Sequence, residues 1–198
     1  APVTVPYTCC SCPPGQGDGY VLPYCDSPAN RDAVSNHLYM ELLGQATQYA
    51  WFFTPYLMLG DTLLDAFVRA AQRGVDVRIF VPGIPDKKLA YRMTQSFFRP
   101  LLEAGVRIYT YTPGFLHAKA CLLDDEIGML GTVNLDYRSL FLHFECNALF
   151  YRASLLRDLK QDFEETLPLC KEITQQDLRK ALHSRMVDSI LRIISPLC

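Results

Sequence analysis

Apolar positions along the chain alternate between a period of two and a period near four, and the switches mark its elements. Tyr20 to Cys25 reads as a strand, closed by Asp26-Ser27-Pro28. Asn30 or Asp32 is then positioned to cap a helix reaching about Thr47, with Val34, Leu38, Leu42 and Leu43 inward. The aromatic run Tyr49 to Thr54 reads as a central strand, stopped by Pro55. Asp61 caps a helix through Gln72, with Leu64, Phe67, Val68 and Ala71 inward and Gly74 ending it. Val75 to Val81 is the next strand, and the loop 82–86 leads to a helix from about Leu89 to Ala104. Strands follow at Val106–Tyr111, Ala118–Leu123, Ile127–Leu130 and Glu145–Tyr151. Ser154 opens a helix to about Leu167; beyond Pro168 a last helix spans Thr174 to Ile194. Its stripe of Leu178, Leu182, Met186, Ile190 and Ile194, widened by Val187 and Leu191, predicts packing on its own sheet. A docking face for a partner half or a membrane surface is the lesser reading. The alternation as a whole predicts an α/β fold, a mixed β-sheet sandwiched between α-helices.

Composition adds boundaries. At 198 residues one domain is expected, covering 20–198, after a Pro-, Gly- and Cys-rich tail or linker at 1–19. A net charge of −2 gives no general pull towards nucleic acid, so no nucleic-acid partner is expected. No apolar run reaches bilayer-spanning length, and the opening residues do not read as a signal peptide. Cys9, Cys10 and Cys12 cluster, but not at a zinc-site spacing, and no metal or cofactor is expected. Cys25, Cys121, Cys146, Cys170 and Cys198 are scattered. With Cys121 and Cys146 in apolar strands, they read as reduced thiols of an intracellular protein.

Candidate chemistry concentrates between Gly114 and Glu145. His117 and Lys119 stand two apart, so on a strand they share a face and pair an imidazole with an ammonium. Asp124-Asp125 marks a turn, and Gly131 lets the chain bend so that Thr132 and Asn134 return to the same place. Alone, His-x-Lys describes a strand edge with two solvated side chains. With Thr132, Asn134 and Glu145 added, a site for an anion is the better reading.

The run H-x-K-x4-D-x6-G-T-x-N resembles the HKD signature of the phospholipase D superfamily. Tyr111 to Lys119 (YTPGFLHAK) and Asn134 to Leu140 (NLDYRSL) are similar to the second HKD half of bacterial cardiolipin synthases, and the likeness runs from about Val21 to the C-terminus. The resemblance implies that His117 is the nucleophile or its acid–base partner. Lys119 and Asn134 would hold phosphoryl oxygens, with Thr132 where the family generally has Ser. It implies too that Glu145 orients the imidazole through its second nitrogen, while Asp124 and Gly131 are structural. Thr54-Pro55-Tyr56 is similar to that family's TPY element, which makes Tyr56 a weak substrate-binding candidate. Lys87 and Lys88 are weak candidates for head-group attraction, although lysines so placed are usually a solvated face. His143, where the family has Asn, reads as a substitution of no mechanistic weight.

The activity implied is phosphatidyl transfer between phosphatidylglycerol molecules through a phosphohistidine, giving cardiolipin and glycerol. The partners implied are anionic phospholipid (phosphatidylglycerol), a membrane surface and a second HKD half, because the reaction needs two imidazoles and no internal repeat supplies the second. That half is either a missing N-terminal half or a homodimer mate. The family's membrane-spanning segments would lie outside this chain, at the bacterial inner membrane; the chain is then a fragment, or else a single-motif relative. Alternatives are a single-HKD nuclease or phosphodiesterase acting as a homodimer, and a non-catalytic lipid-binding half.

Overall fold

The structure, a computed structural model, describes residues 18–29, 32–180 and 185–195. Most of the expected tail, with Cys9, Cys10 and Cys12, lies outside those residues, as do Asn30, Leu182 and Cys198. In chain order the elements begin with β1 (Tyr20–Asp26), α1 (Val34–Gln45), β2 (Tyr49–Phe53), β3 (Leu57–Met58), α2 (Asp61–Gln72) and β4 (Asp76–Pro82). Next come α3 (Lys88–Ser96), α4 (Phe98–Ala104), β5 (Arg107–Tyr111), β6 (Ala120–Leu123), β7 (Ile127–Gly131), β8 (Leu135–Asp136) and α5 (Tyr137–Phe141). The last are β9 (Glu145–Tyr151), α6 (Leu155–Thr166), a 3-10 turn (Leu167–Leu169), β10 (Cys170–Ile173), α7 (Gln175–Lys180) and α8 (Arg185–Ile194).

Eight strands form one mixed sheet in the order β1-β9-β7-β6-β2-β4-β5-β10. The central β2, β4 and β5 run parallel, each reached through helical crossovers, while β6, β7, β9 and β1 continue the sheet antiparallel. Strict alternation along β2 sends Ala50 and Phe52 into one core and Tyr49, Trp51 and Phe53 into another. The first core packs the sheet against α1, α2 and α4 through Leu43, Leu63, Phe67 and Leu101. The second packs it against α6, where Phe163 stacks on Phe53 at 3.9 Å between ring centroids. Burying each such aromatic contributes on the order of 2–3 kcal/mol.

The mixed sheet between helices is therefore the observed architecture, with local departures. Helix α1 is capped by Asp26, whose carboxylate accepts from the Val34 and Ser35 amides at 3.0 and 2.8 Å; exposed Asp32 does not do so. In α2 the fully buried residues are Leu63, Phe67 and Ala70, one position round from the expected stripe. The expected helix through Ala104 is two helices meeting at Phe97. Pro100 explains the break, since it has no amide for the Ser96 carbonyl and its ring crowds that group. Strands β3, β8 and β10 and helix α5 are too short to carry a period and were not expected. The Cys146 thiol is exposed rather than buried, because it lies on the outward face of β9 opposite β1.

The expected C-terminal stripe turns the other way. Leu178 is buried, but Met186 is 70% exposed, and Ile190 and Ile193 are exposed too. What faces inward on α8 is Asp188, held by Arg92 of α3 at 2.5 Å and Arg99 of α4 at 4.0 Å, with Leu191 beside it. The ion pair sets the rotation of this helix, and its apolar face is left outward.

Candidate active site

Three segments meet at the carboxyl ends of β2 and β4, the edge at which open α/β sheets gather ligands. Thr54, directly after β2, accepts from the Leu135 amide at 3.1 Å and donates to the Tyr56 carbonyl at 2.7 Å. One buried hydroxyl thus staples the Thr54-Pro55-Tyr56 turn to the Gly131–Asp136 segment, and the β3–β8 pairing holds the two in register. Gly131 is needed for closeness, and its φ is not in the left-handed region: a Cβ there would stand 1.9 Å from Asn147 Oδ1 and 2.3 Å from the Cys146 carbonyl. The bend expected at this glycine is really a tight crossing against β9.

The β6–β7 hairpin brings the two halves of the motif together. Asp124 and Asp125 take positive φ of 52° and 58°, as a hairpin turn matched to strand twist requires. The Asp124 carboxylate accepts from the Thr47, Gln48 and Tyr49 amides and the Thr47 hydroxyl at 2.7–2.9 Å. Burial works against its ionisation, yet these donors hold it below the usual carboxylate range. It sits at the far end of β6 from His117 and Lys119, which lie just before that strand.

His117, Lys119, Gly131, Thr132 and Asn134 line one open cleft of about 520 Å³. The exposed His117 ring lies 5.6 Å from Phe115, centroid to centroid. Its pKa falls below the ordinary histidine value through partial burial and the positive charge of Lys119, with Asp86 opposing. The imidazole is therefore neutral near pH 7. Lys119 donates to the His117 carbonyl at 2.7 Å, and burial lowers its pKa against the charges of Glu145 and Asp136. Asn134 donates to the Ser139 hydroxyl at 2.9 Å, while its buried carbonyl oxygen has no partner among the described residues. Because a serine hydroxyl both donates and accepts, this amide can turn over and present its NH2 to an anion.

Asn134 also lines an adjoining cleft of about 360 Å³, with Tyr56, Met58, Lys87, Leu89, Ala90 and Met93 on one wall. Asp136, Arg138 and His143 complete it. The Tyr56 hydroxyl donates to Asp86, and burial, joined by this acid, pushes the phenol up to about 12. Buried Asp136 has a raised pKa, mainly from desolvation, and accepts from the Ser139 amide at 2.8 Å to cap α5.

The structure brings His117, Lys119, Thr132 and Asn134 to one cleft and Tyr56 and Lys87 to the next; exposed Lys88 lines neither. Glu145 does not meet His117. Its carboxylate accepts from Thr132 and lies 3.5 Å from His143 Nδ1. His143, set aside in the sequence, thus touches the acid expected to orient the nucleophile, and it does so from a bend before β9. Asp86 was also missed. Its place in the loop after β4, beside Lys87 and Lys88, was the available signal. Among the described residues, no cluster of three or more His, Cys, Asp or Glu is arranged for a metal ion. No helix there is long and apolar enough to cross a membrane.

Comparison with known proteins gives consistent relatives. The family model described as "Cardiolipin synthase, PLD-like domain" matches residues 39–167. Cardiolipin synthase 2 of Bacillus anthracis is 39% identical over 184 residues, covering 92% of this chain and 36% of that protein. The chain spans little more than a third of the length of the curated relatives it matches. Among solved structures, phosphatidylserine synthase of Haemophilus influenzae superposes with a TM-score of 0.69 at 19% identity, over 89% of this chain and 45% of that one. Nuc of Salmonella typhimurium, a phospholipase D family member, gives 0.66 at 14% identity, over 79% and 99%. At these identities the two structures speak for the fold alone.

Proposed function

This chain belongs to the phospholipase D superfamily, with the PLD-like domain of the cardiolipin synthases, and on that premise we propose that it is one HKD half of a phosphatidyltransferase. Its substrate would be phosphatidylglycerol at a membrane surface, in a protein held to the bacterial inner membrane by segments outside this chain. The observation that carries the reading is the cleft in which a neutral imidazole, an ammonium and a buried amide converge. A phosphodiester repels nucleophiles and has a poor leaving group, so covalent catalysis splits its exchange into two steps. In the first, a His117 ring nitrogen attacks phosphorus and the bond to the glycerol head group breaks. A second imidazole protonates the departing alkoxide. In the second, that imidazole takes the proton of an incoming phosphatidylglycerol alcohol, whose oxygen displaces His117, giving cardiolipin. Lys119 and Asn134 would neutralise the non-bridging oxygens as charge gathers on them.

The second imidazole would come from another HKD copy. Support for a docking surface lies around the cleft, where Phe115, Leu130 and Leu142 are exposed and Phe144 is 81% exposed. In the intact longer protein, His117→Ala should lower phosphatidyl transfer in phosphatidylglycerol vesicles by at least about a thousandfold and abolish the phosphohistidine. Unchanged turnover would leave only a lipid-binding role. Full activity from this chain as a strict monomer would refute the need for a second copy. Hydrolysis of a simple phosphodiester without transfer to phosphatidylglycerol would overturn the transferase reading.

A further inference from the structure

Lining neither cleft, Cys25 of β1 and Cys146 of β9 oppose each other in direct register, with their Sγ atoms 2.9 Å apart. Both thiols are exposed, whereas Cys121 is buried and Cys170 partly so, their thiols pushed up to about 12 and about 11 by burial. Directly opposed residues of an antiparallel pair have Cα atoms about 4.5–5.5 Å apart, within the roughly 4.4–6.8 Å that a disulfide spans. Closing the bond therefore asks only for side-chain rotation.

We propose that Cys25 and Cys146 form a reversible dithiol–disulfide couple that reacts with low-molecular-weight disulfides and, when closed, locks the sheet's edge strand to the strand bearing Glu145. One thiol gives its proton to solvent, and the thiolate attacks a sulfur of the small disulfide, expelling a small thiolate. The other protein thiolate then attacks the mixed disulfide, forming the Sγ–Sγ bond and expelling the second. Two protein thiols lose two electrons and two protons, and the small disulfide becomes two thiols. The hydrogen bond between the thiols chiefly raises the Cys146 pKa, so the pair rests as shared thiols and reacts through a minority thiolate.

The location gives the bond consequences. Among the described residues, strand β1 is an edge, paired in the sheet with β9 alone. The Cys146 main chain brackets Thr132, accepting from its amide and donating to its hydroxyl, both at 2.9 Å. The bond would also join residues 121 apart in sequence, a long loop in the unfolded chain.

The test incubates the reduced full chain with oxidised glutathione, followed by peptide mass mapping and thermal melting. The expected result is one linkage joining the Cys25 and Cys146 peptides, free of glutathione, with Tm raised by about 5 °C. Reductant should reverse both, and neither should appear in Cys25→Ser or Cys146→Ser. Free or glutathione-capped thiols at both positions would overturn the proposal. So would a Tm gain that persists in Cys146→Ser.

Discussion

On the proposed reading His117 would attack phosphorus only while its ring is unprotonated, a state that partial burial and the Lys119 charge favour. The acid limb of kcat/KM should therefore fall below pH 6.5. Removing the ammonium in Lys119→Met should move that limb up towards 6.5 while lowering the rate; a pH–rate series on the intact enzyme reads both effects. A limb that stays fixed would mean Lys119 exerts no influence on the ring. The contact between Glu145 and His143 gives a second expectation. His143→Asn should leave Glu145 with Thr132 as its hydrogen-bond partner and change activity by less than about tenfold. Glu145→Gln should cost more, because the Thr132 hydroxyl loses its charged acceptor. Glycine 131 is different in kind: Gly131→Ala should unfold the domain at a lower temperature, since the Asn147 side chain and Cys146 backbone stand where the new methyl would go. The meeting of His117, Lys119, Thr132 and Asn134 was legible because their spacing is local, although His117 and Lys119 precede β6 instead of lying on it. The partner of Glu145 was not, because it depends on how the bend before β9 folds back.

Helices and strands divide in the same way. Glu145–Tyr151 was read with its observed bounds, and β2 and β5 to within a residue, because period-two runs with stop signals mark their own ends. Helix α8 was misread because periodicity reports an apolar face without saying which face the fold covers. A buried Asp188 between Arg92 and Arg99 outweighed the apolar Met186, Val187, Ile190, Ile193 and Ile194, which stay exposed. Asp188→Ala should accordingly cost about 3 kcal/mol, leaving two guanidinium groups half-buried without their carboxylate. Denaturant unfolding of this chain measures it, and a loss under about 1 kcal/mol would show the ion pair to be ornamental. Asp124 makes a matching case on the hairpin. Asp124→Ala removes four hydrogen bonds to the chain entering β2 and should cost about 2 kcal/mol while leaving kcat per folded molecule nearly unchanged.

At the scale of the molecule, the two faces of the sheet have separate duties. The face under α1 to α4 carries the larger core, and the carboxyl ends of its strands present the clefts. On the proposed reading, the exposed Phe144 and Leu142 would meet a second half there. In the intact enzyme, Phe144→Asp should lower transfer at least tenfold, with Tm of the isolated chain unchanged, because the side chain is almost wholly solvated there. The layered fold was legible from the alternation of periods. The pairing of two clefts through Asn134 was not, since it arises from β3 and β8, each of two residues.

The opposite face holds the chain's single tryptophan, Trp51, against Phe163 of α6 and beneath the Arg78 guanidinium at 4.6 Å. Its ultraviolet emission is thus a built-in gauge of whether α6 is seated. The signal should redden as that helix peels away and stay constant while lipid analogues are titrated, so one cuvette separates loss of structure from loss of binding.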